Sequence, residues 1–365
     1  MSNDRTKKIL KTNGAWLGFL ALLAIFSFLT KGEILSPRNL TNLSRQASIN
    51  GVLAGGMTLV ILSGGIDLSI GSIVAVAGVL VGISQTHWGW GNSGWTGAVQ
   101  SLFLALGAGL LAGLVNGLLV AWLRIAPFVI TLGMMVIARG LAMILSGGSS
   151  ISPMGEVLNL WAGEFLGFVP TVIVLSVVGF YFVALLFRKK SGLLLPLLVL
   201  MLFGWAFLTY RGFPTIALFL LTVLLLLAFL LRYTVFGRSV FALGSNERAA
   251  YWAGVEVFKV TTLIYTVMGL LAGLSGLLLT ARLNGAEPNA GQLFELDAIA
   301  AVVIGGTSLK GGSGSILGSL VGALMIALLN NGMDLLGVPS FYQMVFKGMI
   351  IIAAVSLDQS QRKAI

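Results

Sequence analysis

Cysteine is absent from this 365-residue sequence, histidine occurs once, and charged residues make up only 9% of the chain. Without cysteine there is no disulfide, no thiolate nucleophile and no cysteine-ligated metal, and the lone His87 cannot build a histidine cluster. Soluble domains carry about 25% charged residues. The scarcity of charge therefore excludes a soluble globular protein and a disordered chain. The lack of cysteine and the single histidine argue against a metal centre and against Ser-His chemistry.

Apolar residues make up 57% of the sequence. Since a membrane-spanning helix needs about 20 of them in a row, the chain has room for about 10 to 12 spans. The sequence predicts an all-α polytopic membrane protein with about 12 transmembrane helices. The shortest run, 297–309, is either a full span or a re-entrant segment. The predicted spans are 14–30, 49–63, 69–84, 99–122, 126–145, 168–187, 193–210, 213–231, 260–281, 297–309, 315–331 and 341–357.

Glycine is abundant: it makes up 48 of the 365 residues, nearly twice its usual share of about 7%. No Gly-X-Y period accompanies it, so a collagen-like chain is excluded. In membranes, small residues let two helix backbones approach closely. The glycines therefore predict tight packing between helices.

The formal net charge is +10, from 22 basic and 12 acidic residues. In a membrane protein such an excess reflects Lys and Arg kept in the cytoplasm, not nucleic-acid binding. Alternating twelve spans from a cytoplasmic N-terminus places 15 of the 22 basic residues inside and 5 outside, with Arg139 and Lys347 within spans. The positive-inside rule thus predicts that both termini are cytoplasmic.

Two segments depart from a plain series of spans. In 36–47, Leu40, Leu43 and Ala47 share a helical face, so we expect this segment to lie flat in the membrane interface. Residues 191–232 form a hairpin of two spans with basic residues at both ends. Because both ends are predicted to be cytoplasmic, removing the hairpin would leave a ten-span core in the same orientation.

A short stretch of sequence occurs twice. Residues 60–69 resemble 302–309, and in each copy an apolar run leads into a Gly- and Ser-rich stretch before the next span. Duplicated halves are common in transporters, where the pathway lies between the repeats. We therefore predict an internal duplication, with chance similarity in Gly-rich apolar sequence as the alternative.

The longest predicted cytoplasmic connection is the loop 233–259. Asn246 can cap a helix, Glu247 then lies at the positive end of that helix, and Gly254 ends it. The residues between are good helix formers, so a helix of about two turns is predicted at 247–253. It either inserts into a groove on another protein or lies on the membrane as a plain connection.

Three carboxylates adjoin predicted spans. Asp67 lies between two apolar runs, where an ionisable residue is a functional candidate. We favour a structural role in which Asp67 caps the helix that starts near Ser69. Glu295 and Asp297 fall in the first turn of a predicted span, where they suit the helix dipole. Secondary transporters driven by H⁺ or Na⁺ place carboxylates in mid-span, so these positions count against that class.

Three parts of the chain resemble the sugar-type permeases of bacterial ABC importers. Together they cover roughly 35–358, and the hairpin makes the xylose-type members the most similar. The resemblance identifies the loop at 233–259 as the ATPase-coupling loop. The matching residues are Phe236-Gly237-Arg238, Ala242-Leu243-Gly244-Ser245-Asn246, Glu247, Ala249-Ala250 and Gly254-Val255, then Gly64-Gly65-Ile66-Asp67-Leu68-Ser69-Ile70-Gly71-Ser72, and finally the whole stretch 295–315.

The resemblance implies a homodimeric permease of the inner membrane, with 1–365 as a single multi-pass transmembrane domain. It would receive a monosaccharide, in particular a pentose such as xylose, from a periplasmic or extracellular sugar-binding protein. A separate cytoplasmic ATPase would bind ATP, so no cofactor and no enzymatic activity are expected in this chain. The implied coupling residues are Gly237, Arg238, Gly244, Asn246, Glu247, Ala249, Ala250 and Gly254. The implied pathway or membrane-end residues are Gly64, Gly65, Asp67, Ser69, Glu295, Asp297, Gly305 and Gly306.

The ion-coupled secondary transporter remains the alternative function, and an intramembrane enzyme is the second alternative. Neither has support from the residues, since no nucleophile, base or metal set is visible. The segment 305–312 is glycine-rich and contains Lys310, but it lacks the spacing and the preceding strand of a nucleotide-binding loop. It is interpreted as a tight loop at a membrane end.

Overall fold

The computed structural model describes residues 2–187 and 194–363, with side chains for 14–180, 194–350 and 352. Within these ranges the chain forms fifteen α-helices and two isolated β-bridges. In chain order the helices are α1 (Ser2–Leu29), α2 (Pro37–Leu62), α3 (Ile70–Thr86), α4 (Gly94–Leu123), α5 (Pro127–Ser146), α6 (Glu156–Ala162), α7 (Phe168–Phe187), α8 (Leu194–Thr209), α9 (Thr215–Tyr233), α10 (Val235–Ser245), α11 (Glu247–Trp252), α12 (Val257–Leu283), α13 (Phe294–Ile304), α14 (Ile316–Leu335) and α15 (Ser340–Lys363).

Every predicted span falls on one of these helices, which confirms an all-helical polytopic membrane protein. Judged by length and composition, five helices of the described part are long and apolar enough to cross a bilayer. The helices at the other predicted spans are shorter or less apolar, so the total of twelve spans stays a prediction. The five are Trp90–Leu123, Pro127–Ser146, Thr215–Tyr233, Val257–Leu283 and Ile316–Leu335.

The prediction of a flat interfacial helix at 36–47 is wrong. The segment is the first half of α2, which runs without a break to Leu62. Its start is fixed by Ser36, whose hydroxyl accepts a hydrogen bond from the Asn39 amide at 3.3 Å. The apolar face of Leu40 and Leu43 is buried against α1, α8 and α14. That face therefore packs on protein and not on lipid headgroups.

Glycine packing is clearest between α4 and α12. Gly109 and Gly113 of α4 face Gly269 and Gly273 of α12 with no side chain between the two backbones. A Cβ at Gly109 would lie 2.8 Å from the Gly273 amide nitrogen, which real Cβ atoms do not tolerate. The glycines thus allow the close approach that their abundance predicted.

The predicted hairpin consists of α8 and α9, and α9 is part of the core. Gly51 and Gly55 of α2 make room for it, since a Cβ on each would lie 2.7 Å from Leu220 and 2.9 Å from Leu227. The turn of the hairpin is held by the segment before α7, where the Leu166 amide donates to the Phe213 carbonyl at 2.8 Å. The hairpin is therefore packed on the bundle along its length.

The segment 297–309, which the sequence predicts as either a full span or a re-entrant segment, overlaps the short helix α13. This helix begins at Phe294 and ends at Ile304. Its 11 residues rise about 16 Å, against a hydrocarbon core of about 30 Å. A single full span at this position is therefore excluded. The helix is buried from Asp297 to Val303, and it packs against α2 and α14.

Candidate functional site

The two related stretches of sequence end their helices in the same way. After α2, Gly64 has φ +85°, and after α13, Gly306 has φ +87°. The Gly64 amide donates to the Ile61 carbonyl and the Gly306 amide to the Val303 carbonyl, both at 2.9 Å. Left-handed glycines after a helix end satisfy its last carbonyls in this way. The local geometry supports the predicted duplication at these two positions.

Three glycine-rich segments meet at this end of the bundle. The Gly312 amide donates to the Leu62 carbonyl at 2.9 Å, which ties the loop after α13 to the end of α2. Gly244, near the end of α10, lies against both, and a Cβ there would be 2.7 Å from the Gly312 nitrogen. A Cβ at Gly311 would lie 3.0 Å from the Gly64 nitrogen. We call Gly64, Gly244, Gly311 and Gly312 the glycine junction.

The segment predicted to couple to another protein contains two helices. The predicted helix at 247–253 is present as α11, and the Asn246 side chain caps it by accepting from the Ala249 amide at 3.0 Å. Gly254 follows with φ +86°. The helix α10 was not predicted, although Thr234 caps it and Val240 and Leu243 form its buried face.

The exposure of α11 corrects the interpretation of Ala250. This side chain is only 3% exposed and packs within the chain, so it cannot project into a partner. Tyr251 and Trp252 are 65% and 84% exposed. Arg238, Asn246, Glu247 and Ala249 are also exposed, whereas Gly237 is buried against the end of α9. The exposed face of α11 therefore carries an aromatic pair.

Asp67 does not cap α3, so that prediction is wrong. Its Oδ1 accepts from the amide of Ser69 at 2.8 Å and from the Ser69 hydroxyl at 2.6 Å. Ser69 itself is the N-cap residue, and it makes no side-chain cap bond. The carboxylate lies two residues before the helix, too early to reach the free amides of its first turn. It fixes the loop between α2 and α3 instead.

The surroundings of Asp67 form a buried polar cluster between four helices. Asn116 of α4 donates to the Ser69 hydroxyl at 2.9 Å, and the Leu68 amide donates to the Thr131 hydroxyl of α5 at 3.1 Å. The Tyr265 hydroxyl of α12 lies next to Gly65. Asp67, Ser69, Asn116 and Thr131 are fully buried.

This cluster is not fully hydrogen-bonded. Asp67 Oδ2, Asn116 Oδ1 and Tyr265 Oη are buried and have no partner within the described residues. These three groups are therefore able to form further hydrogen bonds. The sequence indicated Asp67 and Ser69 but missed Asn116, Thr131 and Tyr265. Their signal was a polar side chain inside a predicted span.

The two carboxylates of α13 lie at a different place from the glycine junction. Asp297 pairs with Lys347 of α15, with 3.1 Å between Oδ2 and Nζ, and its side chain is 5% exposed. Glu295 is half-buried in the same first turn. Arg139 donates to the carbonyls of Pro288 and Ala290, at 2.6 and 3.0 Å. Asp297 is therefore committed to an internal ion pair and is closed to a soluble partner.

The structure thus divides the predicted membrane-end residues into two groups. Gly64, Gly65, Asp67 and Ser69 lie near the coupling segment through the glycine junction. Gly306 ends α13 beside this junction, while Gly305 packs on α14 at Gly318. Gly311 and Gly312 belong to the junction but were not predicted as site residues, because only the fold brings them to Gly244.

Long apolar helices packed around buried polar contacts define a polytopic membrane protein. The chain belongs to the family described as the permease component of the branched-chain amino acid transport system, whose model matches residues 39–355. It is therefore a multi-pass membrane protein, in agreement with the predicted location in the inner membrane.

The relatives of this chain include permeases named for sugars. It is 39% identical to the ribose import permease protein RbsC of Bacillus subtilis over 353 residues, which cover 97% of this chain and 94% of the relative. It is 37% identical to the xylose transport system permease protein XylH of Haemophilus influenzae, over 95% of this chain and 96% of the relative. XylH of Escherichia coli is 36% identical, over 94% and 90% respectively. No solved structure matches the chain.

Proposed function

We propose that the chain is the permease subunit of an ATP-driven importer for a monosaccharide, in particular a pentose such as xylose. The similarity to ribose and xylose permeases over nearly the full length of both chains carries this proposal. The family description refers to branched-chain amino acids, whereas the named relatives transport pentoses. The relatives do not support an ion-coupled transporter.

A separate cytoplasmic ATPase supplies the energy in this proposal, and ATP binds there and not in the permease. The exposed face of α11 is the contact, with Tyr251 and Trp252 as its apolar anchors. A displacement of α11 also moves α10, because Asn246 alone separates the two helices. Gly244 then transmits the displacement to the end of α2 and to the loop that follows α13, because it contacts Leu62 and Gly312 together.

The permease works as a homodimer that alternates between outward and inward openings in this proposal. A sugar-binding protein outside the cytoplasm selects the sugar, so the permease itself needs only weak contacts with it. The buried polar cluster around Asp67 lies where the loop between α2 and α3 packs against α4, α5 and α12. In this proposal the break between α2 and α3 is a place where these helices can rearrange during the cycle.

The test is uptake by proteoliposomes that contain the permease, its ATPase and its sugar-binding protein. We expect uptake of labelled xylose that requires ATP on the ATPase side, with stronger competition by pentoses than by hexoses. Uptake driven by a proton or sodium gradient without ATP would contradict the importer. Uptake of leucine in place of pentoses, with the same ATP requirement, would contradict the substrate alone.

A further inference from the structure

A basic pocket opens at the end of the bundle opposite the glycine junction. It has a volume of about 540 Å³ and lies between the start of α2, the turn of the α8–α9 hairpin and the segment before α7. Arg38 and Arg45 of α2 line it together with Arg211 of the hairpin turn. Pockets of this size hold small ligands or the polar part of larger ones.

The chain neutralises only part of the positive charge of this pocket, since Glu164, which follows the lining residue Gly163, attracts Arg45. Glu33 is the one carboxylate among its lining residues, against three guanidinium groups. In the described part of the chain the ion pairs are Lys259–Glu256 and Lys347–Asp297, so none of these arginines has a carboxylate within 4.0 Å. Arg45 donates to the carbonyls of Ala162 and Gly163 through one nitrogen, while its buried Nε has no partner among the described residues.

Aromatic rings hold two of the arginines beside one another. The guanidinium of Arg45 lies 5.3 Å from the centre of the Phe165 ring, and that of Arg211 lies 5.8 Å from the same ring. Arg211 is also 5.7 Å from the Tyr210 ring. Cation–π contacts of this kind position a guanidinium but leave its N–H groups able to donate to an anion.

A second cavity adjoins the basic pocket. It has a volume of about 230 Å³ and shares Tyr210 and Arg211 with the pocket. Its other walls come from the facing ends of α7 and α8, including Phe168 and Leu208. These two side chains are 68% and 45% exposed, and they belong to two helices that the sequence predicts to span the bilayer. The slot between α7 and α8 is therefore open to lipid.

We propose that this pair of cavities binds an anionic phospholipid. The phosphodiester of the headgroup lies among Arg38, Arg45 and Arg211, and one acyl chain follows the slot between α7 and α8. A carboxylate on a soluble protein would satisfy the arginines but would leave the slot empty. The bound lipid would join the hairpin turn to the start of α2, which no ion pair in the described chain does.

The test is native mass spectrometry of the purified, delipidated permease with dioleoyl phosphatidylglycerol and with dioleoyl phosphatidylcholine. We expect about tenfold tighter binding of the anionic lipid, and a loss of that preference in Arg211→Gln, because charge-assisted hydrogen bonds to phosphate are lost. Arg232→Gln is the matched control. Arg232 lies at the opposite end of the same hairpin, 5.5 Å from the Tyr233 ring, and should not change the preference.

Further measurements separate the lipid from other anions. Arg211 is exposed, so its replacement should not disturb folding, and Arg45→Lys offers a second variant that keeps a positive charge at a half-buried position. Soluble glycerophosphoglycerol and inorganic phosphate should bind at least about tenfold more weakly than the diacyl lipid, since they leave the slot empty. Equal binding would overturn the proposal. So would an Arg211→Gln variant that keeps its lipid preference but loses affinity for the sugar-binding protein.

Discussion

Within the part of the chain that the structure describes, Asp67 makes two hydrogen bonds with one carboxylate oxygen and none with the other. An asparagine can keep the acceptor at the position of Oδ1 and the volume of the side chain. We therefore expect Asp67→Asn to retain the thermal stability of the detergent-solubilised permease. Asp67→Ala leaves the amide and hydroxyl of Ser69 without their acceptor, which costs about 1–3 kcal/mol and lowers the unfolding temperature.

The measurement is the melting temperature by size-exclusion chromatography after heating. Ser69→Ala is the control, because it removes one of the two donors and leaves Asp67 in place. An Asp67→Asn variant as unstable as Asp67→Ala would show that the negative charge, and not the acceptor, holds the loop.

Replacing Trp252 tests whether α11 contacts another protein or only connects two helices. Its side chain is 84% exposed, so Trp252→Ala should leave the fold intact. Buried interface tryptophans commonly contribute about 2 kcal/mol or more to binding. We expect Trp252→Ala to reduce co-purification of the ATPase about 30-fold and to abolish uptake. Trp122→Ala is the matched control, since Trp122 is 74% exposed at the end of α4.

Glu247→Arg should weaken coupling less strongly. Reversing this charge at the start of α11 costs about 0.3–1 kcal/mol in the helix dipole, which is too little to unfold the protein. Ala250→Trp, by contrast, would disturb packing within the permease because Ala250 is buried. If Trp252→Ala and Glu247→Arg both keep full ATPase binding and uptake, then α11 is only a connection.

The α4–α12 contact offers a paired test of glycine packing. A Cβ at Gly109 would meet the backbone of α12, whereas a Cβ at Gly107 has no atom within 4 Å. We expect Gly109→Ala to destabilise the protein by about 1–3 kcal/mol through overpacking, and Gly107→Ala to have no such effect. Yield and melting temperature of the two variants measure this. Equal losses in both would point to glycine flexibility instead of close packing.

Features that depend on neighbouring residues could be predicted from the sequence, whereas contacts between distant parts of the chain could not. The cap at Asn246 and the stop at Gly254 depend on a few neighbouring residues, so the position of α11 could be predicted. The burial of Ala250 depends on how α11 packs, and the sequence alone gave the wrong side. The first half of α2 was mistaken for an interfacial helix, because an apolar face looks the same whether lipid or protein covers it.

At the scale of the whole molecule, the glycine junction joins segments that lie far apart in sequence. Leu62, Gly244 and Gly312 meet although about 180 residues separate the first two. Each was visible in the sequence as a glycine-rich break, but nothing local indicated that the three breaks touch. The same holds for the cluster of Asp67, Asn116 and Tyr265, whose members come from one loop and two helices.

Gly244 provides the test of coupling through the junction. Gly244→Ala would push α10 away from Leu62 and Gly312, since there is no room for the Cβ. We expect the assembled importer to keep ATP hydrolysis and lose most of its sugar uptake, because the displacement of α10 no longer reaches α2 and α13. Hydrolysis and uptake are measured on the same proteoliposomes, with Gly107→Ala as the control. Normal uptake at a normal rate of hydrolysis would contradict this role of the junction.

The contact between α4 and α12 also sets an order of events during synthesis. Gly109 and Gly269 are 160 positions apart in the chain, and ribosomes add about 5–20 residues per second. The glycine face of α4 therefore enters the membrane roughly 8 to 32 seconds before its partner is made. During that interval lipid tails or other proteins must cover it, so the nascent permease depends on its surroundings at the step where its two most closely packed helices are still apart.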